Sequence, residues 1–322
     1  MEIQLDRSTL ESNLLAKNLV AAFSTTGDDR FSALYRVGGM MRDRGAFELA
    51  HKCFEEAFSI DPDNPDLLRT LGLSRFRMGQ HLAGLETYDS GRWQLDSFTS
   101  IRRDFPQREW AGEPIKGKTI LLWAEQGVGD QLMQARCLKW IMNMEPAQVL
   151  VECDPRLQKM IESSYPGVKT FIQTTQLPEE LLGNEIDFHS SLLSAWRWTY
   201  IPSAEFRDPF PAYLSYNTNL RDGFRNAWKS RGWDLNVGIS WRSKAKVTGD
   251  RKSIEPEQWR PLLANQKAAF HSLQYGCDAQ ELQSLAPAFN RQLLLDADGD
   301  AMSDLDRLAS QIAALDLVIS TD

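Results

Sequence analysis

The feature that most constrains this chain is a spacing. Between residues 34 and 62 it carries Leu34, Gly38, Gly45, Ala50, Phe54, Ala57 and Pro62, the last six at offsets 4, 11, 16, 20, 23 and 28 from the leucine. A shift of 34 residues puts Leu68, Gly72, Gly79, Gly84, Tyr88 and Gly91 on the same offsets; only the closing proline is not repeated. A period of this length means one supersecondary unit used again, with small residues where two helices cross and an aromatic knob beside them. Such units cannot bury an apolar face alone. They stack on one another or dock on a neighbour.

One period further back, Ala16, Val20 and Phe23 on "ESNLLAKNLVAAF" read as the second helix of a decayed earlier unit. The pattern resembles the tetratricopeptide repeat, with antiparallel helix pairs closed by a proline. So short an array is expected to pack against the segment C-terminal to it. It serves either as a partner- or acceptor-binding surface or as an N-terminal structural cap.

The rest of the 322 residues exceeds one average domain. With 42% apolar and 25% charged residues, the chain can build a sizeable core. Its net charge of -8 and pI of about 5.2 argue against nucleic acid or an anionic membrane surface as partner. No run approaches the roughly 18 apolar residues of a membrane span, and the N-terminal "MEIQLDRSTLES" lacks a signal peptide's regions. Cys53, Cys137, Cys153 and Cys277 are scattered, with no C-x-x-C. They read as reduced and buried, which fits a cytoplasmic protein without a metal site.

After Phe98, apolar runs of strand length alternate with helical segments. Strands are expected over 119–124, 148–153, 168–173, 186–190, 236–241, 269–274, 291–295 and 315–320. Helices are expected over 130–143, 155–164, 220–230, 255–264, 279–285 and 303–314. That alternation implies βαβ units and parallel sheets. The proline- and aromatic-rich stretch 196–216 separates two such sets. The expected domains are therefore 1–98, 99–215 and 216–322, the last two Rossmann-like with a cleft between them, and ligands are expected outside the carboxyl ends of the strands.

Two motifs fail on context. "GEPIKGKT", 112–119, fits G-x-x-x-x-G-K-[ST] but precedes a strand, whereas a phosphate loop follows one and opens a helix. "DADGDAMSDLDR" begins like a calcium loop at Asp296, Asp298 and Asp300, yet carries Ala301 and Arg307 where glycine and a bidentate glutamate belong.

One turn is harder to dismiss. "TILLWAEQGVGDQLMQAR" leaves a buried strand through Glu125, Gln126, Gly127, Val128, Gly129 and Asp130 and enters a helix at once. Glycines there admit positive φ and close approach of a ligand. The helix start suits an anion or a polar oxygen. Asp130 is either an N-cap or a general base, and a cap alone does not explain Glu125 and Gln126. In the second half, "VGISWRSKAKVTGDRKSI" leaves a strand at Trp241 and runs through Arg242, Lys244, Lys246, Arg251 and Lys252, a candidate diphosphate clamp or a solvated loop. "FHSLQYG" ends a strand on Gln274 and Gly276, and the last strand ends on Ser320, Thr321 and Asp322.

Together "WAGEPIKGKTILLWAEQGVGD", "VGISWRS", "RKSIEPEQW", "HSLQYG" and "DLVISTD" resemble the bacterial tetratricopeptide-repeat glycosyltransferase-like proteins, relatives of the heptosyltransferases and, more distantly, of O-GlcNAc transferase. The resemblance runs from about residue 31 to the end. It implies a GT-B fold preceded by an all-α repeat segment: two Rossmann-like domains, no metal, and a nucleotide-sugar co-substrate held mainly by the second. It makes Asp130 the base, with Glu125, Gln126, Gly127 and Gly129 on the acceptor side. Trp241, Arg242, Arg251, Lys252, Ser253, Gln274 and Asp322 fall on the donor side. In the family a helix and further strands follow the position of Asp322. The second domain is therefore expected to be incomplete, either a fragment of an enzyme or a shortened, inactive form. The two expected functions are sugar transfer to an acceptor hydroxyl and, alternatively, non-catalytic protein binding through the repeats.

Overall fold

The computed structural model describes residues 24, 26–99, 102–199, 212–243, 249–296 and 303–321. The decayed half-repeat, Lys244, Lys246, Asp298, Asp300, Ala301 and Asp322 lie outside them. Helices are α1 (Gly27–Asp43), α2 (Phe47–Phe58), α3 (Pro65–Arg77), α4 (His81–Arg92), α5 (Val128–Gln134), α6 (Cys137–Asn143), α7 (Gln158–Ser164), α8 (Leu192–Thr199), α9 (Thr218–Lys229), α10 (Ala279–Phe289) and α11 (Leu305–Ala314), besides shorter turns. Strands are β1 (Arg108–Glu109), β2 (Thr119–Trp123), β3 (Gln148–Cys153), β4 (Val168–Ile172), β5 (Phe188–Ser191), β6 (Leu235–Ser240), β7 (Ala268–Ser272) and β8 (Leu317–Ser320). The chain divides into two compact units. One runs to Glu152 and resumes over Thr174–Arg207; the other takes Cys153–Gln173 and the chain from Asp208.

In the first unit the 34-residue spacing becomes two helical hairpins, α1–α2 and α3–α4. Gly45 and Gly79 occupy their corresponding turns at φ of +78° and +75°, a left-handed backbone that glycine adopts without a Cβ clash. A Cβ on Gly38 would overlap the Phe54 ring, and one on Gly72 the Tyr88 backbone. The small residue at offset 4 thus receives the aromatic at offset 20 in both hairpins. The Asn64 side chain caps α3 by accepting from the Leu67 amide at 3.1 Å. Pro65 follows at the first helical position, where no N–H is needed. Leu34, Val37, Phe54, Leu67 and Leu71 form the core that the hairpins share.

The hairpins dock on a parallel sheet in which β1, β5, β2 and β3 are successive neighbours. Ile120 to Trp123 of β2 are all buried, as expected of a parallel strand covered on both faces. The helix expected over 130–143 is two helices. Bonds from Arg136 N to Met133 O and from Leu138 N to Ala135 O skip back only three residues, tightening the chain and breaking the helix there.

In the second unit the parallel order is β7-β6-β8. Val237, Ile239, Trp241, Phe270, Phe289 and Leu293 form its core. The strand expected over 291–295 reduces to one parallel bridge, His271 to Leu294. Its first residues serve as a corner instead. Asn290 ends α10 in the left-handed conformation, and Arg291 donates to the carbonyls of Leu263, Asn265 and Ala268. Residues 153–173 group here through a Lys159–Asp306 ion pair at 2.6 Å and a bond from Ser215 N to Ser164 Oγ at 2.8 Å. No described helix is long and apolar enough to cross a membrane.

Candidate functional sites at two strand ends

The glycine turn follows β2 directly. Ala124 continues the ladder by donating to the Glu152 carbonyl at 3.0 Å. The chain then turns through Glu125 and Gln126 and enters α5 with Gly127 as its N-cap residue. This corrects the capping reading of Asp130, which stands at the third helical position. Neither Gly127 nor Gly129 has a positive φ, so backbone strain does not account for them. A Cβ on Gly129 would meet nothing within 4 Å, and one on Gly127 only the Asp130 carboxylate at 3.5 Å. The glycines leave open space rather than relieve crowding.

Asp130 is exposed, and its carboxylate has no partner among the described residues. Its negative charge in the first turn complements the helix dipole, which leaves that terminus less attractive to an outside anion. Gln131 holds the turn by donating its side-chain amide to the Gln126 carbonyl at 2.9 Å.

Glu125 is elsewhere. Its side chain has no exposed surface, and it forms an ion pair with Arg92, equally buried, at the end of α4. Arg92 also bonds Asp89 at 2.7 Å, Ser191 Oγ at 3.2 Å and Ser194 Oγ at 2.9 Å, with the Trp93 ring 4.1 Å from its guanidinium carbon. Burial pushes the Glu125 carboxyl above its ordinary range, and Arg92 pulls it back. The polar residue that a cap could not explain is thus an anchor between the second hairpin and the sheet. A second anchor lies one strand over. Arg103 pairs with Glu152 at the end of β3, whose carboxylate has no exposed surface and is likewise raised by burial.

Sequence reasoning missed both arginines, although a signal existed. The position one period before Arg92 is Phe58, packed on the hairpin core. A cation at a repeat position that is apolar elsewhere asks for a buried acid.

In the second unit the residues expected on the donor side divide. Trp241 is a core residue, edge-on to Phe289 at 5.2 Å. Gln274, 3% exposed, is a clamp. Its Oε1 accepts from the amides of Trp241 at 3.1 Å and Arg242 at 3.0 Å, and its Nε2 donates to the Arg242 carbonyl at 3.1 Å. Ser253 closes the base of the basic loop, accepting from Ser243 N at 3.1 Å and donating to Gly249 O at 2.7 Å. The Arg242 guanidinium pairs with Glu281 on α10. Lys252 lies in a short turn, partly exposed. The Arg251 side chain is outside the described atoms.

Beside this clamp lies a cavity of 590 Å³ at the carboxyl end of β7, lined by Gln274, Asp278, Asp296, Asp304, Arg307 and others. Asp278 and Asp304 are N-cap residues of α10 and α11, accepting from the amides of Glu281 at 2.8 Å and Arg307 at 2.9 Å. Arg307 donates to both oxygens of Asp296, from Nε at 2.6 Å and from Nη2 at 2.7 Å. The residue that stands in place of a calcium-loop glutamate therefore neutralises the loop's first aspartate. The "GEPIKGKT" stretch enters β2, and its Lys118 pairs with Asp187 at 2.9 Å.

These features define an α/β protein of parallel sheets, with helical hairpins packed on the sheet of the first unit. No family model matches the chain. It is 27% identical over 308 residues to Protein FlbA of Caulobacter vibrioides, covering 90% of this chain and 51% of that protein. The chain thus spans about half the length of the curated relative it matches. Three solved structures show weaker likenesses. A glycosyl transferase family 9 protein from Veillonella parvula gives a TM-score of 0.45 at 11% identity, over 65% of this chain and 76% of that one. The E. coli ADP-heptose LPS heptosyltransferase II gives 0.43 at 12%, over 63% and 79%. An O-GlcNAc transferase mutant from Thermobaculum terrenum gives 0.26 at 13%, over 99% and 76%.

Proposed function

We propose that this chain belongs to a metal-independent glycosyltransferase that moves a sugar from a nucleotide-sugar donor to an acceptor hydroxyl on a protein or glycan. Asp130 takes the proton of the acceptor hydroxyl, and Gly127 and Gly129 leave room for the acceptor to approach. Arg242, Arg251 and Lys252 stabilise the leaving diphosphate, with Ser253 and Gln274 holding the backbone beside Arg242 and with Asp322 as a further donor-side residue. The hairpins act as tetratricopeptide repeats that recruit the acceptor. The observation that carries this reading is Asp130 itself, an exposed carboxylate unpartnered among the described residues, beside open space at the carboxyl end of a buried parallel strand. The 590 Å³ cavity adds support, because parallel sheets bind ligands at that end. Its aspartates suit ribose hydroxyls better than phosphates.

The test is transfer from UDP-, GDP- and ADP-sugars by the full-length protein, with Asp130→Asn alongside. Loss of a general base lowers turnover by about 10²–10⁴-fold and leaves calorimetric donor affinity unchanged. Normal turnover in the variant overturns the assignment. The second reading, a non-catalytic binding module, draws on Arg242, whose guanidinium is already committed to Glu281. Absence of binding heat with all three donor classes decides for it.

A further inference from the structure

A second cavity, of 410 Å³, occupies the same unit between α9, His271 and α11. It shares the Asp296–Arg307 pair and Gln311 with the first cavity. From its lining we infer a small-molecule site distinct from the donor site, built for a planar heteroaromatic ring that bears one anionic group, a carboxylate or a phosphate.

Five features carry this. Gln311 is only 5% exposed, yet its amide has no partner among the described residues, and it faces both cavities. Open to the cavity, that amide offers a donor and an acceptor to a guest. His271, 2% exposed, spends Nε2 on Asn236 Oδ1 at 3.0 Å and leaves Nδ1 without a partner among the described residues. Burial, and then the charge of Arg231, lower its pKa to about 4, so the ring is neutral at pH 7 and adds one more hydrogen-bonding edge.

The wall is aromatic. Trp228 lies 4.0 Å from the His271 ring and 5.5 Å from Phe224, centroid to centroid. At the rim, Arg231 is exposed and its guanidinium has no partner among the described residues. Finally, Gly223 sits inside α9 with nothing within 4 Å of where its Cβ would be. Glycine weakens a helix, and no packing contact here requires it. It keeps the lip of the cavity open. An apolar wall with a few convergent polar groups is the usual make-up of a ligand pocket, and Arg231, a cation unpartnered among the described residues, selects one negative charge.

The experiment is calorimetry on the full chain with nicotinate and orotate as carboxylate probes and pyridoxine phosphate as the phosphate probe, each to millimolar concentration. At least one probe binds saturably. Its binding weakens about tenfold in Arg231→Ala, is lost in Gly223→Leu, and is unchanged in Asp278→Asn, which lines only the first cavity. Arg231 and Gly223 are exposed, so both variants keep the fold, and circular dichroism verifies this. No saturable binding by any of the three probes overturns the inference, as does equal affinity in Arg231→Ala and Gly223→Leu. A failed sugar-transfer assay leaves this measurement untouched, because no probe is a nucleotide sugar.

Discussion

The guanidinium of Arg92 and the carboxylate of Glu125, 33 residues apart in sequence, meet where neither side chain retains any exposed surface. Breaking such a pair from one side strands a charge in a low-dielectric interior, which costs about 3–5 kcal/mol. Arg92→Met and Glu125→Gln are each expected to destabilise the first unit on that scale. The double variant Arg92→Met/Glu125→Gln is expected to lose less than the sum of the two single losses, by about 1–3 kcal/mol of coupling. Urea denaturation followed by tryptophan fluorescence reads this, since Trp93 and Trp123 lie 5.8 Å apart beside the pair. Additive losses show that the two residues act independently.

The hairpin crossings give a contrast between two glycines of equal helical rank. A Cβ on Gly72 would stand 2.6 Å from the Tyr88 backbone nitrogen, whereas one on Gly39 meets nothing within 4 Å. Gly72→Ala is expected to cost about 1–3 kcal/mol through overpacking. Gly39→Ala is expected to gain about 1 kcal/mol, the helix propensity difference. Thermal melts of the two variants should therefore shift in opposite directions. A shift of the same sign in both refutes the crossing geometry.

These glycines also show what sequence could yield. The 34-residue period specified the hairpin turns and their contacts, because Gly45, Gly79, Gly38 and Gly72 each act within one repeat. The parallel strands 119–124 and 148–153 were legible as short apolar runs between turn residues. What was not legible depends on partners far away in the chain. Glu125 read as a site residue until Arg92 supplied its partner. Gln274 read as a ligand group until the backbone of residues 241 and 242 occupied both ends of its amide. The break at Ala135 in the helix of 130–143 is set by three-residue hydrogen bonds that no periodicity announces.

His271 makes acid stability testable. Unfolded, the ring takes a proton below its ordinary value of 6.5; folded, only near 4. Between those values the unfolded chain binds more protons, so the unfolding free energy falls as pH falls. The slope is at most about 1.4 kcal/mol per pH unit for one proton. His271→Gln should flatten that part of the curve, while His189, whose pKa is also lowered by burial, keeps its own contribution in both proteins. Denaturant midpoints measured across this window decide it. An identical pH slope in the variant means that His271 is not held neutral by the fold.

Arg242, proposed above as a donor-side cation, is paired with Glu281, and that partner makes a prediction of opposite sign to ordinary mutagenesis. Its ion pair with Glu281 is about one-third exposed on each side, so it is screened by water and worth little to the fold. If Arg242 receives a diphosphate, Glu281 competes for the same guanidinium. Glu281→Gln removes the competing charge while Glu281's backbone amide still bonds the Asp278 cap. Affinity for ADP or UDP is then expected to rise about threefold to tenfold, a change of roughly 1 kcal/mol, with little change in melting temperature. Arg242→Gln should weaken the same binding, and in that background Glu281→Gln should give no gain. Calorimetry on the four proteins closes the cycle. If Glu281→Gln leaves nucleotide affinity where it was, the guanidinium of Arg242 is a brace for α10 and the phosphates are held by other residues of the loop.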